Sequence, residues 1–203
     1  MYRLFYNHQI SKDVLFVLID PTKTVTSTKR NEEVVALYHD EEIVGYNIFD
    51  ISKTVRIVSK GIIFCPDSKM IDAINSVLSR TGFPLLPYLS DSGYQVMRIV
   101  SVEEHPLDEK ASIISLIGKD EKKYETVAKA KNIAIGSLCV AALSGSILSD
   151  GTLFVSKTEK NLPIDVLPMS PKMLKIGEEK DILFLPSEED YAVGDDFFAP
   201  SKE

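Results

Sequence analysis

Hydrophobic residues in the first 60 positions occur in short runs separated by polar corners. The run Val14–Ile19 is rich in β-branched residues and ends at an Asp-Pro pair, which favours a buried strand over a helix. Thr22–Arg30 is polar and predicts a loop. Two further runs, Val34–Tyr38 and Ile43–Phe49, flank a polar turn and predict a hairpin.

The spacing of hydrophobic residues changes from that of a strand to that of a helix between residues 54 and 80. Thr54–Ser59 alternates with period two and predicts a fourth strand. Ser68–Arg80 instead predicts a helix, with Asp67 as its N-cap and Gly82 as its stop. Its apolar residues recur at helical spacing and form one core face: Met70, Ile71, Ile74, Val77 and Leu78.

A change in composition near residue 90 predicts a domain boundary. Phe83–Tyr88 contains two prolines, which remove backbone donors, and Ser90–Gly93 is rich in turn-forming residues. We therefore expect an N-terminal domain over residues 1–90 and a second domain over residues 91–203.

The second domain has many short apolar segments. Tyr94–Gly118 holds two alternating runs joined by a polar corner at His105-Pro106, which predicts two antiparallel strands. Ser156–Leu174 contains three prolines and predicts a long surface loop. Short strands at intervals of about ten residues suggest a small barrel or a sandwich. Further strands are predicted over Tyr124–Ala128, Thr152–Val155 and Asp181–Leu185, and Leu138–Leu143 is another apolar segment.

Composition is that of an ordinary soluble domain, with 44% hydrophobic and 26% charged residues among 203. The N-terminus lacks a basic stretch followed by an apolar one, and no apolar run approaches the roughly 20 residues of a membrane span. We therefore expect a cytoplasmic protein with no membrane partner. The apolar surroundings of Cys65 and Cys139 favour buried, reduced thiols over a disulfide or a nucleophile.

The net charge of −7 is distributed unevenly along the chain. Residues 1–90 are neutral, and residues 91–109 carry −4. Residues 110–175 hold ten lysines against six acids, whereas residues 176–203 hold two lysines against nine acids. A basic segment thus lies between acidic ones, and it forms either a basic patch or a mixed solvated surface.

Motifs for catalysis are absent from the sequence. His8, His39 and His105 are far apart and form no zinc-ligand pair. The sequence has no phosphate-binding glycine loop, no dinucleotide fingerprint and no nucleophile elbow. Adjacent acids such as Glu103-Glu104 are typical of a solvated surface. We therefore expect a protein that is not an enzyme and has no metal or cofactor.

Landmark residues from Tyr94 onward resemble the tRNA-binding domain found at the N-terminus of the phenylalanyl-tRNA synthetase beta chain, at the C-terminus of methionyl-tRNA synthetases and as a free-standing bacterial protein. The resemblance lies in the joint order of these residues over roughly Tyr94–Val155. The landmarks are Val96–Ser101, His105-Pro106, Lys110, Val127, Ala130, Asn132, Gly136, Ala142, Gly145 and Gly151.

The N-terminal half resembles the domain that accompanies this tRNA-binding domain in free-standing YtpR-type proteins of low-GC Gram-positive bacteria. The matching residues are Phe5-Tyr6-Asn7, Asp13–Leu15 and Gly45–Phe49. The resemblance implies a mainly β protein with some α, in which an N-terminal α+β domain precedes an OB-type five-stranded β-barrel. Such barrels bind oligonucleotides through a sheet face and its flanking loops.

The resemblance implies a set of RNA-binding residues in the second domain: Lys110, Lys122, Lys123, Tyr124, Lys129, Lys131, Asn132, Ser170 and Lys172. The chain departs from the family pattern at three places. Leu107 follows His-Pro where the family has Asn or Asp, and Ala128–Asn132 replaces Cys-Gly-Ala-Pro-Asn. The family's Gly-Met-x-x-Ser signature survives only around Met169-Ser170 and Lys172.

Two functional hypotheses follow. In the first, the protein is a non-catalytic binder of tRNA or other structured RNA that acts through an OB-fold face and its loops. In the second, the barrel has lost RNA binding and serves as a protein-interaction module, with a protein partner or a second copy of the chain. The degenerate signature and the overall acidity favour the second hypothesis, and the landmarks and the +4 segment favour the first.

Overall fold

The computed structural model describes residues 2–64, 66–88, 91–185 and 190–199. The chain divides into two compact units, residues 1–92 and 93–201. The boundary that the sequence predicts follows Ser90, which lies outside the described residues. Within the described ranges, no helix combines the length and the apolar character needed to cross a membrane.

The described part of the first unit contains an antiparallel sheet with the spatial strand order β3-β4-β5-β2-β1-β6. Strands β2, β4 and β5 confirm those that the apolar runs predict. The elements are β1 (Arg3–Tyr6), α1 (His8–Ser11), β2 (Val14–Leu18), β3 (Ser27–Asn31), β4 (Val34–His39), β5 (Glu42–Phe49), β6 (Gly61–Ile63) and α2 (Ser68–Arg80).

Helix α2 has the bounds that the sequence predicts, and its apolar face packs on the sheet. Asp67 caps the first turn, since its Oδ1 accepts a hydrogen bond from the Met70 N–H at 2.8 Å. The helix contributes Ile71, Ile74 and Leu78 to a core that includes these strand residues: Leu4, Tyr6, Leu15, Val17, Val34, Ala36, Tyr46 and Ile48.

Two predictions for the first unit are wrong. Thr54–Ser59 is not a strand, because Val55 and Ile57 pack against the core without pairing their backbone to the sheet. The predicted loop Thr22–Arg30 instead contains most of β3, which pairs with β4 over five residues. All five side chains of β3 are exposed, so its sequence lacks the apolar alternation that identifies half-buried strands.

The second unit is built around a nearly closed, barrel-like antiparallel sheet of five strands in the order β13-β10-β7-β8-β9, and the protein is mainly β. Its elements are β7 (Tyr94–Glu104), β8 (Ser112–Ile117), β9 (Lys123–Ala128), β10 (Leu138–Leu143), β11 (Lys157–Glu159), β12 (Leu162–Ile164), β13 (Val166–Pro168) and α3 (Pro171–Leu174). The corner between β7 and β8 confirms the predicted pair of strands.

The edge strand β9 approaches the start of β13 at Glu125 and Asp165, the residue that precedes β13. The Asp165 N–H donates to the Glu125 carbonyl at 2.9 Å, and the Glu125 N–H donates to Asp165 Oδ2 at 2.9 Å. Strand β7 pairs with β10 over its first half and with β8 over its second half, with a bulge between Ile99 and Ser101. The enclosed core contains Met97, Ile99, Ile114, Leu116, Cys139, Ala141 and Val166.

The prediction of buried, reduced thiols can be compared with the structure for one of the two cysteines. Cys139 is fully buried and free, as predicted, and burial raises the pKa of its thiol to about 12. Its thiol is therefore neutral and unsuited to nucleophilic attack. Cys65 lies outside the described residues.

Three predictions for the second unit are wrong. Ser156–Leu174 is not a loop, because it contains β11, β12, β13 and α3. Its prolines are compatible with strands since β12 and β13 are edge strands, which do not need every backbone donor. Thr152–Val155 and Asp181–Leu185 are not strands, and they contribute only isolated bridges from Leu153 to Ile147 and from Phe184 to Cys139.

Part of the acidic C-terminal segment runs along the edge of β7. The Val96 N–H donates to the Asp195 carbonyl at 2.9 Å, and the Gly194 N–H returns to the Val96 carbonyl at 2.8 Å. The Phe198 ring meets the Tyr94 ring edge to face at 5.2 Å. This segment therefore covers the part of β7 that β8 does not reach.

Candidate nucleic-acid interface

The outward face of β7, β8 and β9 is mixed in charge. Three rows of register partners cross it: Arg98–Ile117–Lys123, Ser101–Ser115–Glu125 and Glu103–Ile113–Val127. The hydroxyl oxygens of Ser101 and Ser115 lie 2.9 Å apart and share a hydrogen bond. Because two cations are balanced by two carboxylates, this face offers hydrogen-bonding and apolar groups and is not a basic patch.

The corner between β7 and β8 is a compact turn. The Leu107 N–H donates to His105 Nδ1 at 3.1 Å, so this histidine stabilises the turn. The Lys110 N–H donates to Asp108 Oδ1 at 3.1 Å, and Lys129 Nζ lies 2.7 Å from Asp108 Oδ2. Hydrogen bonds from Lys129 and Lys110 lower the pKa of Asp108. The charge of Lys129 is thus already matched by a carboxylate.

The predicted residues Lys122, Lys123 and Tyr124 are adjacent but point to different sides of the barrel. Lys123 lies on the outward face opposite Ile117. Tyr124 is half-buried against the barrel core, and Lys122 Nζ stands 5.0 Å from its ring centroid. An RNA base would have to displace Lys122 to stack on that ring.

The predicted residues Lys131 and Asn132 lie in the loop between β9 and β10. Asn132 Nδ2 donates to the Ile182 carbonyl at 2.9 Å, and its Oδ1 accepts from the Ile182 N–H at 3.2 Å. The Asn132 amide therefore makes two hydrogen bonds with the Ile182 backbone, which substitute for the pairing of a neighbouring strand. The Lys131 side chain is exposed, and its backbone N–H donates to Asp181 Oδ1 at 3.1 Å.

The predicted residues Ser170 and Lys172 lie at helix α3. Ser170 is 4% exposed and caps the helix, since its Oγ accepts from the Met173 N–H at 3.2 Å. Lys172 Nζ lies 3.8 Å from a carboxylate oxygen of Glu178. Both residues line an open cavity of about 390 Å³, together with Leu148, Ser149, Asp150, Met169, Met173 and Lys180.

The hairpin β11-β12 adds cations that the site prediction does not include. Lys157 and Lys160 lie on it, and a hydrogen bond from Lys157 lowers the pKa of Glu159, to which the nearby charge of Lys129 also contributes. Lys160 and Asn161 have positive φ angles of 50° and 66°, as a two-residue hairpin turn requires. The Lys-Asn pair lacks the glycine that usually marks such a turn in a sequence, so the sequence carries only a weak signal for this hairpin.

The structure thus brings together Lys129, the corner loop and the β11-β12 hairpin. It places Ser170 and Lys172 at a separate feature, the cavity beside α3. Among the described residues, no group of three or more His, Cys, Asp or Glu side chains is arranged to hold a metal ion. The site therefore consists of dispersed lysines, several of them beside carboxylates, and neutral polar groups around a barrel.

The class that the fold and surface define is a two-unit, mainly β protein with a barrel-like second unit. Residues 21–86 match a family described as a domain of unknown function (DUF4479). The match covers β3, β4, β5, β6 and α2 and does not extend to the barrel. A comparison with curated proteins gave no match.

Proposed function

We propose that this chain is a non-catalytic RNA-binding protein whose second unit is an OB-type barrel that holds tRNA or another structured RNA. The observation that carries the proposal is the connectivity of the barrel. The proposal places the protein in the bacterial cytoplasm, where its ligand is found.

The strand order supports an OB-type topology. Taken in chain order, the five barrel strands are β7, β8, β9, β10 and β13. The first three form a meander, the fourth returns to pair with the first, and the fifth pairs with the fourth and approaches the third. This Greek-key closure is the arrangement expected of an OB fold.

OB folds bind nucleic acids with the face of the second and third strands and with the loops after the first and fourth strands. Here these loops span residues 105–111 and 144–165, and both carry exposed lysines. Lys110 lies in the first loop, Lys157 and Lys160 lie in the second, and Lys129 lies beside both. Phosphate groups are favoured next to such cations.

The mixed charge of the sheet face favours recognition by shape. A structured RNA presents phosphates at its edges and 2′-hydroxyls in its shallow groove. The Ser101–Ser115 pair offers hydroxyl groups on the face, and the loop lysines flank it. We therefore propose that lysines contact phosphates while the face contacts sugar hydroxyls, without strong sequence preference.

A salt titration of bulk tRNA binding to the full chain tests the proposal. Four phosphate contacts give a slope of log affinity against log salt of about −3 to −4, or a roughly hundredfold loss between about 50 and 200 mM salt. Replacing Lys157 and Lys160 together by Gln removes about two units of slope. Failure to bind at low salt, or binding independent of salt, would overturn the proposal.

The matched control replaces two exposed lysines of the first unit, Lys60→Gln with Lys69→Gln. This variant has the same net charge as the hairpin variant but leaves the barrel loops intact. We expect its slope to equal that of the unaltered chain. Equal slopes for both double variants would show that tRNA responds to net charge alone.

The second candidate function is a protein-interaction module that has lost RNA binding. The observation that favours it is that Lys129, Lys157 and Lys172 each have a carboxylate within 4 Å. Under this alternative, tRNA does not bind at low salt, and a protein partner is retained from lysate after nuclease treatment. Loss of the partner on nuclease treatment supports the RNA proposal.

A further inference from the structure

The sheet of the first unit has one face that helix α2 does not cover. The buried core uses alternate strand residues on the helix side, and the opposite side chains are only partly buried. The register of the six strands places one continuous row on this outer face: Ile62, Phe5, Phe16, Asn47, Val35 and Arg30. We refer to these six residues as the Phe5–Arg30 row.

Aromatic rings are grouped along this row. Phe5 and Phe16 are register partners on neighbouring strands, with ring centroids 6.1 Å apart and planes tilted by 52°. Both are partly exposed and lie outside the buried core cluster. Partly exposed rings on adjacent strands are the arrangement by which sheet proteins stack unpaired bases.

Asn47 supplies hydrogen-bonding groups beside the rings. It is the register partner of Phe16, and its side-chain amide makes no hydrogen bond with another described residue. The amide offers two donors and an acceptor. It can therefore bond to the edge of a base stacked on Phe16 or to a ribose 2′-hydroxyl.

The charge of the outer face suits a polyanion. Arg30 ends the row, with its guanidinium carbon 5.3 Å from the Phe49 ring centroid. The next row along the strands contains Arg3, Leu18, Gly45, Leu37 and Thr28, so neither row contains a carboxylate. Arg30 is the exposed cation of the two rows, because Arg3 is buried and donates to the carbonyls of Tyr2 and Asp91. Four strand spacings of about 4.8 Å separate Phe5 from Arg30, or about 19 Å.

We infer that the Phe5–Arg30 row binds two or three unpaired nucleotides of RNA, with bases on Phe5 and Phe16, a base edge or 2′-hydroxyl on Asn47, and a phosphate at Arg30. A second copy of the chain suits the row less well. It would desolvate the Asn47 amide and the Arg30 guanidinium against an apolar, carboxylate-free surface. The inference does not depend on RNA binding by the barrel.

The absence of tryptophan from the chain allows a direct test. Phe16→Trp places a single fluorophore in the row, and Phe5→Trp is a second probe in case the first does not fold. We expect a short unstructured oligoribonucleotide to quench the tryptophan emission of the full chain saturably. The same sequence as DNA is expected to bind more weakly, and equal affinity would overturn the assignment to RNA.

Further substitutions in the Phe16→Trp background locate the contacts. Phe5→Leu keeps apolar bulk but removes a ring, and we expect affinity to fall about tenfold. Arg30→Gln is expected to reduce the salt slope by about one. Lys29→Gln is the matched control, because it removes the same charge from the same strand on the opposite face. Equal effects of Arg30→Gln and Lys29→Gln would overturn the inference.

Three other results would also overturn it. The first is unquenched emission at low salt. The second is an emission shift that depends on protein concentration without RNA, which would show that a second copy covers the row. The third is tryptophan emission that acrylamide does not quench, which would show that the ring is not accessible. Replacing Lys157 and Lys160 is expected to leave the quenching unchanged, so failure here is distinguishable from failure of tRNA binding by the barrel.

Discussion

The two sheets of this protein bury their apolar residues in different ways. The open sheet of the first unit buries one face under α2 and leaves the Phe5–Arg30 row partly exposed. The nearly closed sheet of the second unit turns its apolar side chains inward around Ile114 and Leu116. The closed sheet therefore offers only its outer surface and loops for recognition, whereas the open sheet leaves the face opposite its helix.

The placement of charged side chains also differs between the two units. Neither of the two outer rows of the first unit contains a carboxylate. In the second unit, Lys129 pairs with Asp108, and Lys157 pairs with Glu159. Lys172 likewise lies within 4 Å of Glu178, so at least three of the ten lysines in the segment that carries +4 are matched by carboxylates. Segment charge is a poor guide to surface potential.

The largest expected effect is a loss of stability when a side chain that points into the barrel is shortened. Ile114 is fully buried, so Ile114→Ala is expected to lower the free energy of unfolding by about 2–5 kcal/mol, because it removes buried methyl groups and leaves a cavity. Its neighbour Ile113 lies on the outward face, and Ile113→Ala is expected to cost about 1 kcal/mol or less. Urea unfolding measures both. Equal costs would contradict the assignment of faces.

A smaller effect separates structural from binding roles in the barrel loops. Asn132→Ala removes both hydrogen bonds to the Ile182 backbone and leaves partly buried polar groups unpaired, which costs about 2 kcal/mol. We expect the salt slope of tRNA binding to be unchanged. Lys131→Ala, at the exposed neighbouring position, is expected to preserve stability. If Asn132→Ala instead weakens tRNA binding without lowering the thermal midpoint, the amide is an RNA contact.

The sequence predicts those elements whose residues repeat with a clear period. Helix α2 has its cap at Asp67 and its apolar stripe in the sequence, and both are present in the structure. The strands β7 and β8 likewise follow from alternation around a polar corner. Strand β3 is not predictable in this way, because an edge strand with every side chain exposed shows no alternation.

The candidate sites depend on pairings that single segments do not contain. The prediction that Ser170 and Asn132 bind RNA rests on resemblance, and the structure gives both side chains partners within the fold. The Phe5–Arg30 row requires the register of six strands, so no local pattern reveals it. The hairpin that carries Lys157 was not predictable either, because its Lys160-Asn161 turn lacks the usual glycine and the nearby prolines suggest a loop.

The smallest expected effect concerns the pH response of the corner loop. The hydrogen bond from Lys129, together with that from the Lys110 N–H, holds the pKa of Asp108 below its ordinary value of 3.8. Because the folded-state pKa is the lower one, the resulting stabilisation is present above pH 3.8 and is lost as the pH falls through the folded-state pKa. Lys129→Gln is therefore expected to raise the pKa of Asp108 towards 3.8, as followed by NMR of the carboxyl carbon. Lys110→Gln keeps the backbone donor and is expected to leave the pKa unchanged, so equal shifts in both variants would show that general charge, and not the Lys129 contact, sets it.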